Sequence, residues 1–196
     1  MDVEFVTKEG AAIATVFEAL AQLRIAVFRE YPYLYDGTVD YEQEYLNTYS
    51  QAERSFLLAV YHKGNMVGAT TCIPLRDETT EIREPFENAG LNVDRIFYFG
   101  ESILLPAFRG QGLGHRFFDE REAHVRQFET YDQICFLAVE RAADHPAKPS
   151  DYRSHEKFWQ KRGYVRQPSL RATLEWPDTG ESQASAKTLV GWMKKM

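Results

Sequence analysis

Apolar residues fall into short runs along the chain, and these runs predict β-strands separated by turns and helices. Apolar and polar residues alternate over residues 3–7, which predicts a half-buried strand. Two β-rich runs, 55–61 and 66–75, are joined by a short polar turn and predict a hairpin. Further strands are predicted from apolar runs at residues 95–105, 133–140, 170–176 and 187–193.

Helical periodicity is strongest near the start of the chain. Apolar residues recur there at helical spacing and predict an amphipathic helix; they are Ile13, Val16, Phe17, Leu20, Leu23 and Val27. Similar but shorter patterns predict helices at residues 41–49, 113–125 and 154–164. Residues 77–92 are polar and charged, and they fit either a short helix near the binding cleft or a long solvated insertion. We favour the insertion slightly.

The composition is that of an ordinary globular protein. The chain has 196 residues, of which 44% are hydrophobic and 27% charged, so we predict one domain spanning residues 1–196. Within it, the polar residues 177–186 predict a flexible link to a last strand. We expect no membrane-spanning segment, because no apolar run approaches the necessary length, and we predict a cytoplasmic protein.

Charge and cysteine usage narrow the possible partners. The net charge is −6 and the chain has no basic run, so we expect no nucleic-acid partner and favour a cationic substrate. Cys72 and Cys135 lie far apart in apolar stretches, which is typical of small buried residues rather than of a disulfide or a metal pair. We therefore expect no metal site.

A glycine-rich loop follows the apolar run at 95–105 and precedes the helix predicted at 113–125. Gly110, Gly112 and Gly114 stand at alternate positions. Bare backbone amides at the start of a helix suit a phosphate group, because the helix dipole is positive there. The spacing fits neither the P-loop nor the Rossmann pattern. The alternative is a strand-to-helix turn that needs glycine only for its geometry.

The pattern Arg109-x-x-Gly112-x-Gly114 resembles the acyl-CoA motif of the GCN5-related N-acetyltransferases, or GNAT superfamily. The strand before it and the helix and strand after it come in the order of that family. The resemblance implies an α/β (α+β) fold with a mixed central sheet flanked by helices, in which a splayed parallel strand pair binds acyl-CoA. It implies acetyl-CoA as co-substrate, bound by Ile103, Leu104, Leu105, Arg109, Gly110, Gln111, Gly112, Leu113, Gly114 and Phe158.

The same resemblance implies a reaction. An acetyl group would pass from acetyl-CoA to an amine of a small molecule or peptide by direct attack in a ternary complex, with a backbone N–H of the motif strand near Leu104 as oxyanion donor. Glu101 is our leading candidate for the base, because it precedes the slot on the motif strand, and Tyr98 is the next. The alternative for Glu101 is an edge or salt-bridged glutamate without a role in the reaction.

The sequence indicates the general acid, which protonates the departing thiolate, less clearly than the base. Where the family commonly has a tyrosine that protonates the departing thiolate, this chain has Trp159, which has no ionisable proton to donate. Tyr152, Tyr164 or a water are the remaining candidates.

The segment after the first helix is rich in tyrosine. In the family this segment shapes the acceptor site, so we predict that Tyr31, Tyr33, Tyr35 and Asp36 bind the amine. The alternative is a packed loop whose rings cover one end of the core.

Two other function classes fit the same features. The chain could be a non-catalytic acyl-CoA sensor or scaffold, in which Trp159 marks a real loss of activity, or a plain interaction domain with a vestigial loop. A homodimer through the terminal strands is also possible, because strand edges readily pair.

Overall fold

The computed structural model describes residues 2–196, which form a single mixed α/β domain. Seven strands make one sheet in the order β1-β2-β3-β4-β5-β7-β6. The strands are β1 (Glu4–Glu9), β2 (Phe56–His62), β3 (Asn65–Pro74), β4 (Ile96–Leu104), β5 (Gln133–Val139), β6 (Val165–Trp176) and β7 (Ser185–Lys195). The predicted fold class is confirmed.

Helices cover both faces of the sheet. They are α1 (Phe17–Phe28), α2 (Val39–Gln51), α3 (Thr80–Asn88), α4 (Leu113–Val125) and α5 (Glu156–Lys161). Apolar residues of α1, α2 and α3 pack in one core cluster, and those of α4 and α5 pack in a second cluster on the opposite face. The sheet is therefore the middle of three layers.

The parallel pair β4 and β5 is joined for only three residue pairs. Ile96, Phe97 and Tyr98 face Gln133, Ile134 and Cys135. Beyond Tyr98 no pairing between the two strands is present in the described chain, because β5 continues along β7 while β4 stays on β3. The two strands separate towards their carboxyl ends and leave a gap in the sheet.

A bulge in β4 accompanies this separation. Thr70 of β3 faces Ser102, whereas Cys72 faces Phe99, so β4 holds one residue more than β3 in this interval. Gly100 lies in the bulge, where a Cβ atom would stand 2.2 Å from the Tyr49 hydroxyl oxygen. A residue with a Cβ atom would therefore displace the Tyr49 side chain.

The expectations for two segments need correction. Residues 77–92 contain α3, so the solvated insertion that we favoured slightly is wrong and the short helix is right.

Residues Gly10–Phe28 form a continuous helical stretch that is long and apolar enough by composition to cross a membrane, contrary to our statement that no run approaches that length. In the structure one side of this stretch packs on the sheet and on α2.

The segment predicted as a flexible link is tied to the loop after α1. The Thr179 N–H donates to the Leu34 carbonyl at 2.6 Å, and the Asp36 N–H donates to the Pro177 carbonyl at 3.1 Å. Arg141 binds both carboxylate oxygens of Asp178 at 2.8 Å. The first half of the link is therefore anchored to the loop after α1 and to Arg141.

Candidate active site

The glycine loop ends at the first turn of α4. Gly110 and Gly112 adopt φ values of 75° and 82°, in the left-handed region that favours glycine. Gly112 is the N-cap of α4, and within residues 2–196 no side-chain hydrogen bond caps this end of the helix. The amides at the start of this helix of 13 residues are therefore left for water or for an anionic ligand.

The space around the loop suits such a ligand. A Cβ atom placed on Gly110, Gly112 or Gly114 would meet no other atom within 4 Å. These three glycines border open space, unlike Gly100, which is enclosed. A diphosphate fits against this surface because no side chain separates it from the backbone amides.

Other motif residues hold the loop and its surroundings in place. The Arg109 guanidinium donates to the Leu104 carbonyl at 2.9 Å and to Glu30 at 2.7 Å, which ties the loop to the end of β4 and to the segment after α1. The Gln111 amide donates to the Ala107 carbonyl within the loop. Phe158 packs edge-on against His115 near the start of α4.

The end of β4 directs one backbone amide into the gap. The Leu105 N–H donates to the Val67 carbonyl of β3 at 2.9 Å. Because N–H groups alternate in direction along a strand, the Leu104 N–H points away from β3 and towards the gap beside β5. The adjacent Ile103 side chain is buried in the core beneath α1 and α2.

A cavity of about 550 Å³ opens on the α1 and α2 face of the sheet, next to the gap. Tyr98 and Glu101 of β4 and Leu137 of β5 belong to its wall, so the cavity spans both splayed strands. The rest of the wall is mainly aromatic and acidic, and includes Tyr33, Tyr35, Tyr45, Trp176, Glu42, Glu81 and Glu175.

The floor of the cavity, which we define as Arg24, Glu42 and Glu101, holds a buried ion-pair group. Arg24 Nη1 donates to Glu101 Oε2 at 2.5 Å, and Arg24 Nε donates to Glu42 Oε2. Glu42 is 1% exposed and Glu101 is 5% exposed. The other carboxylate oxygen of each residue, Oε1, is buried without a hydrogen-bond partner in the described structure.

Burial perturbs the titration of Glu101. Burial raises the pKa of Glu101 above the usual range for glutamate, the attraction of Arg24 opposes that rise, and the repulsion of Glu42 adds to it. Burial also raises the pKa of the neighbouring Tyr98 phenol. Glu101 is therefore a stronger proton acceptor than an exposed glutamate, although it is ion-paired.

A family model described as the acetyltransferase (GNAT) family matches residues 18–164, which is most of the chain. The chain belongs to the GNAT acetyltransferase family. This confirms the resemblance found in the motif around Gly112.

Solved structures agree with the GNAT fold. The chain is similar to an N-acetyltransferase from Staphylococcus aureus Mu50, with 11% identity, 100% of this chain and 99% of that chain covered, and a TM-score of 0.61. It is similar to NAA60 from Arabidopsis thaliana in complex with a bisubstrate analogue, with 11% identity, coverage of 98% and 99%, and a TM-score of 0.58. It is similar to the PaiA N-acetyltransferase from Thermoplasma acidophilum in complex with coenzyme A, with 9% identity, complete coverage of both chains (100% each), and a TM-score of 0.54. Among curated proteins, none matches.

The structure separates the predicted acceptor residues of this GNAT chain into two groups. Tyr33 and Tyr35 line the cavity together with Tyr98 and Glu101. Tyr31 does not, because it lines a smaller neighbouring cavity of about 260 Å³. Asp36 lines neither cavity and instead accepts a hydrogen bond from Arg29 at 3.1 Å. The structure therefore does not bring Tyr31 and Asp36 together with Tyr33 and Tyr35, and their part in acceptor binding stays a prediction.

The candidates for the acid are also separated from the floor. Tyr152 lines the smaller cavity, where its ring packs edge-on against Tyr31. Tyr164 is buried between the sheet and α4, where its hydroxyl donates to Glu122 at 3.4 Å. Trp159 packs against Phe136 in the same aromatic cluster.

Two charged residues of the floor were missed by the sequence interpretation. Arg24 stands four residues after Leu20 and three before Val27, so it is a charge within the apolar stripe of α1. Glu42 is likewise in phase with Leu46 on α2. A charged residue at a buried helical position, matched by an opposite charge on the next helix, is the signal that identifies them.

Replacing Arg24 tests the energetics of the floor. Arg24→Met leaves two buried carboxylates without their counter-charge, and we expect a loss of about 3–5 kcal/mol in the free energy of unfolding near neutral pH. In this variant the Glu101 pKa rises further, so the folded state keeps a proton that the unfolded state has released. Its stability deficit is therefore larger at about pH 8 than at about pH 5, which urea unfolding at both pH values will measure.

Arg29→Met is the matched control for this experiment. The side chains of Arg29 and Asp36 are 56% and 42% exposed, so loss of their ion pair is expected to cost less than about 1 kcal/mol. Equal stability of the two variants at about pH 8 would contradict the description of the floor.

Proposed function

We propose that this GNAT protein transfers an acetyl group from acetyl-CoA to the amine of a small molecule or peptide. One observation carries the proposal. The gap between β4 and β5 is flanked by the open glycine loop at the start of α4, and it opens on the opposite face onto a cavity lined by carboxylates. A donor bound along the gap and an acceptor bound in the cavity would meet between the two strands.

The residues around the gap fit coenzyme A. The amides of Gly110, Gly112 and Gly114 would hold the diphosphate, because nothing blocks the approach to them. The separated part of β4, with Ile103 to Leu105, would bind the pantetheine arm, and Phe158 would form a wall near the start of α4. Acetyl-CoA, as a thioester, supplies the activated acyl group.

The residues of β4 would position the reacting groups. The Leu104 N–H points into the gap, where it would donate a hydrogen bond to the acyl oxygen and stabilise the negative charge that develops on it. In the reaction, the amine nitrogen bonds to the acyl carbon, the carbon–sulfur bond breaks, and the nitrogen loses a proton. The main chain therefore supplies a large part of the required machinery.

Glu101 is the proposed base, acting directly or through a water, and Tyr98 is the second candidate. Glu101 lines the cavity beside the gap, and burial raises its pKa towards the working range of a general base. Its ion pair with Arg24 agrees with the alternative of a salt-bridged residue, but the pKa remains raised in spite of that pair. Tyr152 or a water would protonate the thiolate.

A non-catalytic acyl-CoA sensor is the second candidate function. It is favoured by one observation, the packing of Trp159 into the aromatic cluster at the place where the family commonly has a tyrosine. The sensor binds acetyl-CoA but releases no thiol with any amine, and this outcome separates the two functions.

A substitution in the glycine loop tests the diphosphate site. Gly114→Leu fills space that is open in the structure, so we expect normal stability and an affinity for coenzyme A reduced by about tenfold or more, from the lost charge-assisted hydrogen bonds. Isothermal titration calorimetry will measure the affinity. Pantetheine, which lacks the diphosphate, is the control ligand and should bind both proteins equally. Unchanged affinity for coenzyme A would refute the assignment of the loop.

A substitution of Glu101 tests the base. With the best acceptor from a panel of aliphatic amines, Glu101→Gln should reduce kcat/KM by about 10²-fold or more. In the wild type, activity should fall as the pH decreases through the raised pKa of Glu101, and this acidic limb should be lost in the variant. Glu81→Gln, at the exposed rim of the same cavity, is the control and should keep the limb. Equal profiles for wild type and Glu101→Gln would exclude Glu101 as the base.

A further inference from the structure

The floor of the cavity carries an unbalanced charge. When both acids are ionised, Glu42 and Glu101 contribute two negative charges and Arg24 contributes one positive charge, which leaves one negative charge in a buried place. The Oε1 atoms of the two carboxylates have no hydrogen-bond partner in the described structure. Buried charge without a partner is costly, so the floor favours a ligand that brings a cation and hydrogen-bond donors.

Arg24 is not free to serve a second ligand. Its guanidinium pairs with both carboxylates, and its carbon Cζ lies 4.8 Å from the ring centre of Tyr45 and 5.0 Å from that of Phe28. Among the wall residues within the described part of the chain, Arg24 is the one cationic side chain. A carboxylate on the ligand would therefore find no unpaired cation in the cavity.

The rim of the cavity adds to the same selection. Glu81 of α3 and Glu175 of β6 line the cavity from exposed positions, where they repel an anionic group on an entering molecule. Tyr33 and Tyr35 line the same wall and carry no charge that would oppose a cation. The rim and the floor therefore both favour a positively charged ligand.

We propose that Glu42 and Glu101, bridged by Arg24, form an ammonium-binding subsite, and that the acceptor is an aliphatic amine that enters as its ammonium ion and carries no carboxylate. This inference deepens the proposed function and rests on it, because only a protein that transfers an acyl group has an acceptor. It distinguishes such amines from amino acids, which carry a carboxylate, and from alcohols, which stay neutral. Glu42 is then a specificity-determining residue, because its charge cancels that of Arg24.

The test compares three ligands of nearly the same shape. They are 2-phenylethylamine, 2-phenylethanol, which lacks the charge, and phenylalanine, which adds a carboxylate. Dissociation constants are measured by isothermal titration calorimetry at about pH 8, with and without coenzyme A. We expect the wild type to bind the amine about tenfold or more tightly than either of the other ligands, from hydrogen bonds to charged groups. Equal binding of the amine and the alcohol by the wild type overturns the proposal.

Variants then test the charge count of the floor. Glu42→Gln brings the floor to zero net charge and should abolish the preference for the amine over the alcohol. Glu81→Gln, which changes only the exposed rim, should keep a preference for the amine over the alcohol. A preference that survives in Glu42→Gln overturns the proposal.

Two further measurements keep the test decisive. Circular dichroism establishes that each variant is folded, and if Glu42→Gln does not fold, Glu101→Gln removes the same charge and should lose the same preference. Binding without coenzyme A does not depend on acyl transfer. A protein that prefers the amine but releases no thiol from acetyl-CoA refutes the proposed function while it supports the subsite.

Discussion

The separation of β4 from β5 is the constraint on which the rest of the structure depends. β5 keeps its pairing with β7 along its whole length, so β4 can leave it only by following β3. The bulge at Gly100 permits this path, since the extra residue bends the strand and the missing Cβ atom leaves room for Tyr49. The cost is a set of unpaired backbone groups inside the sheet, which a bound ligand can satisfy.

The floor of the cavity follows from the same geometry. The bulge places Glu101 beneath α1 and α2, where it is buried, and Arg24 and Glu42 of these two helices complete the ion-pair group. A buried ion-pair group is often no more stabilising than apolar residues of the same size. The presence of three charges in this place is therefore better explained by the binding of a charged ligand than by stability.

Elements that are marked by a pattern within their own residues were predictable from the sequence. The glycine loop was predictable because Gly110 and Gly112 have a backbone conformation that few other residues adopt, and the buried strands were predictable from their apolar runs. Of the floor only Glu101 was predicted, because Arg24 and Glu42 meet it only when two helices pack against the bulge. Proximity in sequence was also a poor guide: Tyr31 and Tyr33 are two residues apart, yet they line different cavities.

The crystal structure of the protein with bound acetyl-CoA tests the central claim most directly. The account predicts the diphosphate against the amides of residues 110–114, the pantetheine arm between β4 and β5, and the acyl oxygen within hydrogen-bond distance of the Leu104 N–H. The acyl carbon should face the cavity that contains Glu101. A cofactor bound elsewhere, or a gap closed by renewed pairing of β4 with β5, would contradict it.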